Sequence, residues 1–160
     1  MTPAARDHPE NGHVPPLLAH DIGFLLGRLG GVSRRALGDA LADRGLAARH
    51  HAVLAVLDDR DPLSQRELTE TLGLDRSYVV ALVDELEERG LVERRADPAD
   101  RRKHAVTLTP SGRYVASACL AVASRVEEEL LAPLQAEDRS LLHTLLHRVA
   151  AFHDTRIPSD

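Results

Sequence analysis

The chain has 160 residues, 43% of them hydrophobic but only 2% aromatic, and a formal net charge of -5 at pH 7. That length buries the core of one domain, which argues against a disordered polypeptide and a two-domain enzyme, and so aliphatic a core suits helices. Cys119 is the single cysteine, which excludes an internal disulfide framework and a cysteine-rich zinc site. With no signal-type apolar stretch and none of membrane-spanning length, a cytoplasmic location is expected.

Residues 1–16, MTPAARDHPENGHVPP, are polar and rich in Pro and His, the composition of a flexible arm. From Leu17 to about Asp43, apolar residues at Leu18, Ile22, Leu25, Leu29 and Val32 alternate steps of four and three, which predicts one long amphipathic helix. A second helix fits His50 to Leu57. A third opens at SQRE, where Ser64 and Glu67 have capping-box spacing, and ends at Gly73. Asp75 then caps a fourth, RSYVVALVDELEER, closed by Gly90. Two short helices joined by a glycine-containing turn have the form of a helix-turn-helix.

LVERR and HAVTLT read as two short strands around the turn residues DPAD; in the second, Val106 and Leu108 alternate with Thr107 and Thr109. Thr109 caps the next helix, with Pro110 at its first position and Val115, Ala118, Cys119, Val122, Val126 and Leu130 on one face. After Pro133 a last helix carries Leu141, Leu142, Leu145, Leu146, Val149 and Phe152 at helical spacing. The predicted fold is mainly α with a small β-hairpin wing, a winged helix-turn-helix flanked by long helices. The predicted divisions are an arm (1–16), a long N-terminal helical segment (17–48), a winged helix-turn-helix lobe (49–112) and C-terminal helices (113–160), the last three of which the observations below assign to dimerisation, DNA binding and dimerisation in turn.

The hairpin concentrates positive charge in an acidic chain: Arg94, Arg95, Arg101, Arg102 and Lys103 stand against Asp97 and Asp100. Guanidinium groups near a hairpin tip follow phosphates or enter a narrow minor groove. The stretch SQRELTETLGLDRSYVVALVDELEERGLVERRADPADRRKHAVTLTPSG, most specifically DPADRRKHAVTLTPSG after LVDELEERGLVER, resembles the DNA-binding half of the MarR family of transcriptional regulators. The resemblance implies a homodimer on a palindromic operator, usually a repressor, with an effector site where the dimerisation helices meet the DNA-binding lobe.

On the fourth helix Val79, Leu82, Val83 and Leu86 cluster on the side expected to face the core. Ser77 and Ala81, flanked by Arg76, Tyr78 and Val80, are candidate base readers, with Ser64 and Gln65 at the preceding helix start and Arg101, Arg102 and Lys103 in the wing. Val80 and Ala81 depart from the Thr and Arg common at the matching family positions; their small apolar side chains suit thymine methyl groups. Arg102 matches the family's most recurrent wing arginine. Scattered aromatic residues disfavour single-strand and RNA readers, leaving double-stranded DNA.

A first helix of about 27 residues would run about 40 Å, too long for the small lobe to cover, so a second copy of the chain is the expected partner. By position, the resemblance makes His20, Phe24, Arg28 and His51 candidates for a small aromatic or phenolic effector. Cys119, in the apolar run ASACLAVA, reads as a core residue and not a redox sensor. His143 and His147, four apart, share a helix face but supply only two ligands, so neither a metal nor a cofactor is assigned. No nucleophile elbow, phosphate loop or HExxH motif points to an enzyme. A protein-docking winged helix and a metal-responsive regulator are the alternatives.

Overall fold

The computed structural model describes residues 14–96 and 104–158. Its helices are α1 (Pro16–Ala19), α2 (Ile22–Ala42), α3 (Ala48–Asp59), α4 (Gln65–Leu72), α5 (Arg76–Glu88), α6 (Pro110–Leu130) and α7 (Ala136–His153). Three strands interleave with them: β1 (Leu63–Ser64), β2 (Val92–Ala96) and β3 (His104–Leu108). The chain divides into residues 1–32 and 33–160, the boundary falling within α2. Among the described residues no helix is long and apolar enough to cross a membrane. Most of the predicted N-terminal arm, and the DPAD turn of the hairpin, lie outside the described residues.

The single first helix expected from Leu17 to Asp43 is two helices. Asp21 divides them: its carboxylate accepts the Phe24 N–H at 2.5 Å and its carbonyl accepts the Leu25 N–H at 3.0 Å, so it caps α2. The apolar periodicity does not register the break, because the four-residue step from Leu18 to Ile22 strides across it. At 21 residues, α2 is about 32 Å long, shorter than expected.

In residues 33–160 the core gathers Leu41 from α2, Val53, Leu54 and Leu57 from α3, and Leu68 from α4. Val79, Leu82, Val83 and Leu86 from α5, Val106 and Leu108 from β3, and Ala116, Cys119 and Val122 from α6 join it, as do Leu46, Leu63, Leu91 and Val92. The sheet is antiparallel with strand order β1-β3-β2, Leu63 and Arg94 both registering on Val106 and Val92 on Leu108. β1 was not anticipated; two residues are too few for an alternating pattern. Thr107, expected on the polar side of β3, is also buried.

Thr109 joins the wing to α6. Its hydroxyl accepts the Gly112 N–H at 2.9 Å and donates to the Gly90 carbonyl at 2.7 Å. Gly112 then passes so close to β2 that a Cβ on it would lie 1.9 Å from the Leu91 carbonyl oxygen. By contrast α7 buries no residue, and Leu141, Leu145, Val149 and Phe152 stand exposed along it.

Candidate nucleic-acid interface

Local hydrogen bonds place α4 and α5. Ser64 caps α4: its hydroxyl accepts the Glu67 N–H at 3.2 Å, and Glu67 returns a carboxylate to the Ser64 N–H at 2.8 Å and hydroxyl at 2.7 Å. These bonds hold the Glu67 carboxyl below its ordinary pKa, the Ser64 hydroxyl contributing most. Gly73 ends α4 in the left-handed region at φ 63°, a conformation costly for residues with a Cβ. Asp75 caps α5, accepting the Ser77 N–H at 2.8 Å and the Ser77 hydroxyl at 2.5 Å, and its pKa falls for the same reason, led by the hydroxyl.

The two faces of α5 divide sharply. Val79, Leu82, Val83 and Leu86 have no exposed surface, while Arg76, Ser77, Tyr78 and Ala81 are exposed and Val80 is half-buried. The exposed residues run along the N-terminal half of the helix, the part that reaches base edges when such a helix lies in a major groove. Ser64 is half-buried at the sheet edge. Gln65 is also half-buried, its Nε2 enclosed without a hydrogen-bond partner among the described residues.

Part of the positive hairpin is neutralised within the fold. The Arg94 guanidinium donates to Glu87 and Asp84 on α5, and the Arg94 N–H donates to Glu87 at 3.0 Å. Arg95 pairs with Glu93 at 2.5 Å. Arg94, which the sequence analysis counted in the hairpin's positive charge, therefore ties β2 to α5 and is not a free probe for phosphate. Arg101, Arg102 and Lys103 lie outside the described residues.

A second tie holds α5 from its other side. His50, buried on α3, accepts the Ala47 N–H at its Nδ1 (3.0 Å), which leaves the proton on Nε2, 2.6 Å from the Glu85 carboxylate. This bond is the chief cause of the lowered Glu85 pKa. Neither the Arg94 nor the His50 tie was apparent in the sequence, because their partners lie 7, 10 and 35 residues away. The only available signal was an excess of acidic residues late in a helix adjoining a basic strand.

The effector candidates fall in different units: His20, Phe24 and Arg28 belong to residues 1–32 and His51 to 33–160. His20 bonds its Nδ1 to the Pro16 carbonyl at 2.7 Å. His51 is half-buried, its Nδ1 enclosed without a partner among the described residues, and burial lowers its pKa, favouring the neutral ring. His143 and His147 stack with ring centroids 6.0 Å apart, and the described residues contain no cluster of three or more metal-ligating side chains. Cys119 is fully buried, and burial raises its pKa, the opposite of what a reactive thiol needs.

Comparison with known proteins accounts for this arrangement. Residues 44–103 match the MarR family model. The transcriptional repressor NicR of Pseudomonas putida is 33% identical over 107 residues, covering 67% of this chain and 68% of NicR. The crystal structure of CouR from Rhodococcus jostii RHA1 bound to p-coumaroyl-CoA is similar with a TM-score of 0.74 at 36% identity, over 85% of this chain and 96% of that one. A cysteine variant of MarR from E. coli complexed with operator DNA matches with a TM-score of 0.73 at 26% identity, over 80% and 92% of the two chains. The chain belongs to the MarR family and is a DNA-binding transcriptional regulator of the winged helix-turn-helix type, not an enzyme.

Proposed function

We propose that this regulator is a cytoplasmic homodimeric repressor that grips a two-fold symmetric operator in duplex DNA and responds to a small aromatic effector. The observation that carries the reading is the division of α5 into a fully buried face and an exposed one formed by Arg76, Ser77, Tyr78 and Ala81. In the major groove, Ser77 presents its oxygen chiefly as an acceptor, because its proton is held by Asp75; it suits the amino groups of adenine or cytosine. Ala81 and the half-buried Val80 suit thymine methyl groups. Ser64, Gln65, Arg101, Arg102 and Lys103 are assigned to the phosphate backbone, which fixes register without reading sequence.

Dimerisation is supported by apolar surface that the described residues leave exposed. Ile22, Leu25 and Leu29 are exposed on α2, and Leu141, Leu145, Val149 and Phe152 on α7. Beside that row, a groove of about 510 Å³ between α6 and α7 is walled partly by Leu131, Leu142, Leu146 and Ile157. A symmetric pair would bury such surface and present two α5 helices to two half-sites. Effector control is supported by the p-coumaroyl-CoA bound to CouR, and repression by the activity for which NicR is named.

The test is footprinting and fluorescence anisotropy on duplex DNA from upstream of the gene, with light scattering of the free protein. Protection of an inverted repeat by a dimer is expected. A monodisperse monomer, or affinity that ignores duplex sequence, would contradict the proposal.

A further inference from the structure

The segment after α7 returns to the helix-turn-helix. α7 stops at His153, and Asp154 organises the turn that follows. Its N–H donates to the Ala150 carbonyl at 2.8 Å, its carbonyl accepts the Ile157 N–H at 3.0 Å, and its Oδ1 accepts the Arg156 N–H at 3.0 Å. The Arg156 guanidinium donates to both oxygens of the same carboxylate, from Nε at 2.6 Å and from Nη2 at 2.5 Å. Two parallel bonds of this kind fix the plane of a guanidinium as well as its position.

That plane lies against Gly73, in the turn between α4 and α5. A Cβ on Gly73 would be 1.7 Å from Nη1, 2.6 Å from Cζ and 2.7 Å from Nη2, so the guanidinium fills the space a side chain at 73 would take. Leu74, the next residue, packs partly buried against the core. On the other side of the tail, the half-buried Ile157 lines the α6–α7 groove. One turn of chain is thus anchored both on the two last helices and on the helix-turn-helix.

We propose that Asp154–Ile157 is a strap on the helix-turn-helix turn and that Arg156 is a positioning residue for DNA recognition. The ties from Arg94 and His50 reach α5 at Asp84, Glu85 and Glu87, in its second half. The exposed Arg76, Ser77, Tyr78 and Ala81 lie in its first half, which joins α4 through Gly73. A glycine leaves that joint free to pivot, and a guanidinium held flat against it restricts the pivot. The charge of Arg156 is already met by Asp154, so its contribution at Gly73 is shape and not attraction for phosphate. A shift of α6 and α7 carries the strap with it and moves the support of the joint. The consequence for operator rests on the reading of α5 as the base reader; the hold on Gly73 does not.

The experiment combines amide resonances of the isotope-labelled free protein with anisotropy on operator and scrambled duplexes across a salt series. Arg156→Gln and Asp154→Asn are each expected to shift Gly73 and Leu74. Arg156→Gln should weaken operator binding roughly fivefold or more, the lower scale of one misread base pair, with the salt slope unchanged. Arg156→Lys keeps the charge but not the fork and should behave like the glutamine variant. Gly73→Asn places a side chain where the guanidinium lies, in a residue that accepts the left-handed conformation; Arg156→Gln should then cost nothing further in that background. Because Arg156 is exposed, the variants at 156 should match the wild type in circular dichroism and light scattering. Unmoved Gly73 and Leu74 resonances overturn the strap, and moved resonances with unchanged operator affinity overturn the positioning role. So does a slope flattened by about 0.9, which would make Arg156 a phosphate contact. Full rescue by lysine, additive losses in the Gly73→Asn background or an altered mass in light scattering also overturn it. A wild type that does not distinguish operator from scrambled duplex removes the base-reading proposal and leaves the strap to stand or fall on the resonances alone.

Discussion

Replacing Gly112 with alanine sets a small gain against a larger loss. The added methyl would sit 1.9 Å from the Leu91 oxygen and 2.9 Å from its carbonyl carbon, whereas the closest carbon–oxygen contacts fall near 3.3 Å. Both obstacles are backbone, so no rotamer relieves them, and α6 must draw back from β2 by about 1.4 Å to recover that spacing. The retreat strains the bonds that join the wing to α6: Thr109 N–H to Leu91 at 3.1 Å and Thr109 hydroxyl to Gly90 at 2.7 Å. Overpacking costs about 1–3 kcal/mol and a lost backbone hydrogen bond about 1 kcal/mol. The better helix propensity of alanine returns up to about 1 kcal/mol. The net expectation is a loss of roughly 2 kcal/mol, read from urea unfolding as a lowered midpoint at unchanged slope. A variant as stable as the wild type would mean that Gly112 is only a weak helix residue and that the close approach to β2 is not a constraint.

Other consequences are tested independently. Arg94→Met releases Asp84 and Glu87 from their ion pairs; it should lower stability by about 1 kcal/mol in urea unfolding and weaken operator binding more at low salt than at high, where the two freed carboxylates are screened. A salt-independent change would argue against that electrostatic cause. Asp75 and Glu67 have folded pKa values below their ordinary ones, so their contribution is complete above about pH 4 and is lost as pH falls through the folded values. Asp75→Asn should accordingly flatten the stability profile on the acid side, and an unaltered profile would count against the cap. Leu145→Glu with Val149→Glu should yield monomers by light scattering and weaken operator binding together, because each half-site loses its tether to the other.

The parts of this fold that the sequence displayed are those in which cause and effect lie within one turn of chain. The Ser64–Glu67 box, the Asp75 cap, the left-handed glycines at 73 and 90, and the buried face of α5 depend on residues two to four positions apart. The division at Asp21 escaped notice because a capping aspartate left the apolar spacing intact. Arg94 looked like a free positive charge because its neutralisation depends on the packing of β2 against α5, which no local pattern encodes. The exposure of α7 was legible only as an apolar stripe, since periodicity reports which residues share a face but not what covers them. The helix-turn-helix was legible in outline, while Arg101, Arg102 and Lys103 lie outside the described residues. Which side chains of α4 are half-enclosed, as Gln65 is, depends on the neighbouring elements.

The central claim is that α5 reads bases while the wing holds phosphate. Its most direct test is operator binding by anisotropy across a salt series for the wild type, Ala81→Asp and Arg102→Ala, on the operator duplex and on a scrambled duplex. Arg102→Ala should weaken both duplexes and, for a phosphate contact, flatten the slope of log affinity against log salt by about 0.9. Ala81→Asp should cost the operator at least roughly tenfold more than the scrambled duplex, the scale of one misread base pair. Unchanged affinity and slope in both variants, with the fold intact by circular dichroism, would contradict the account.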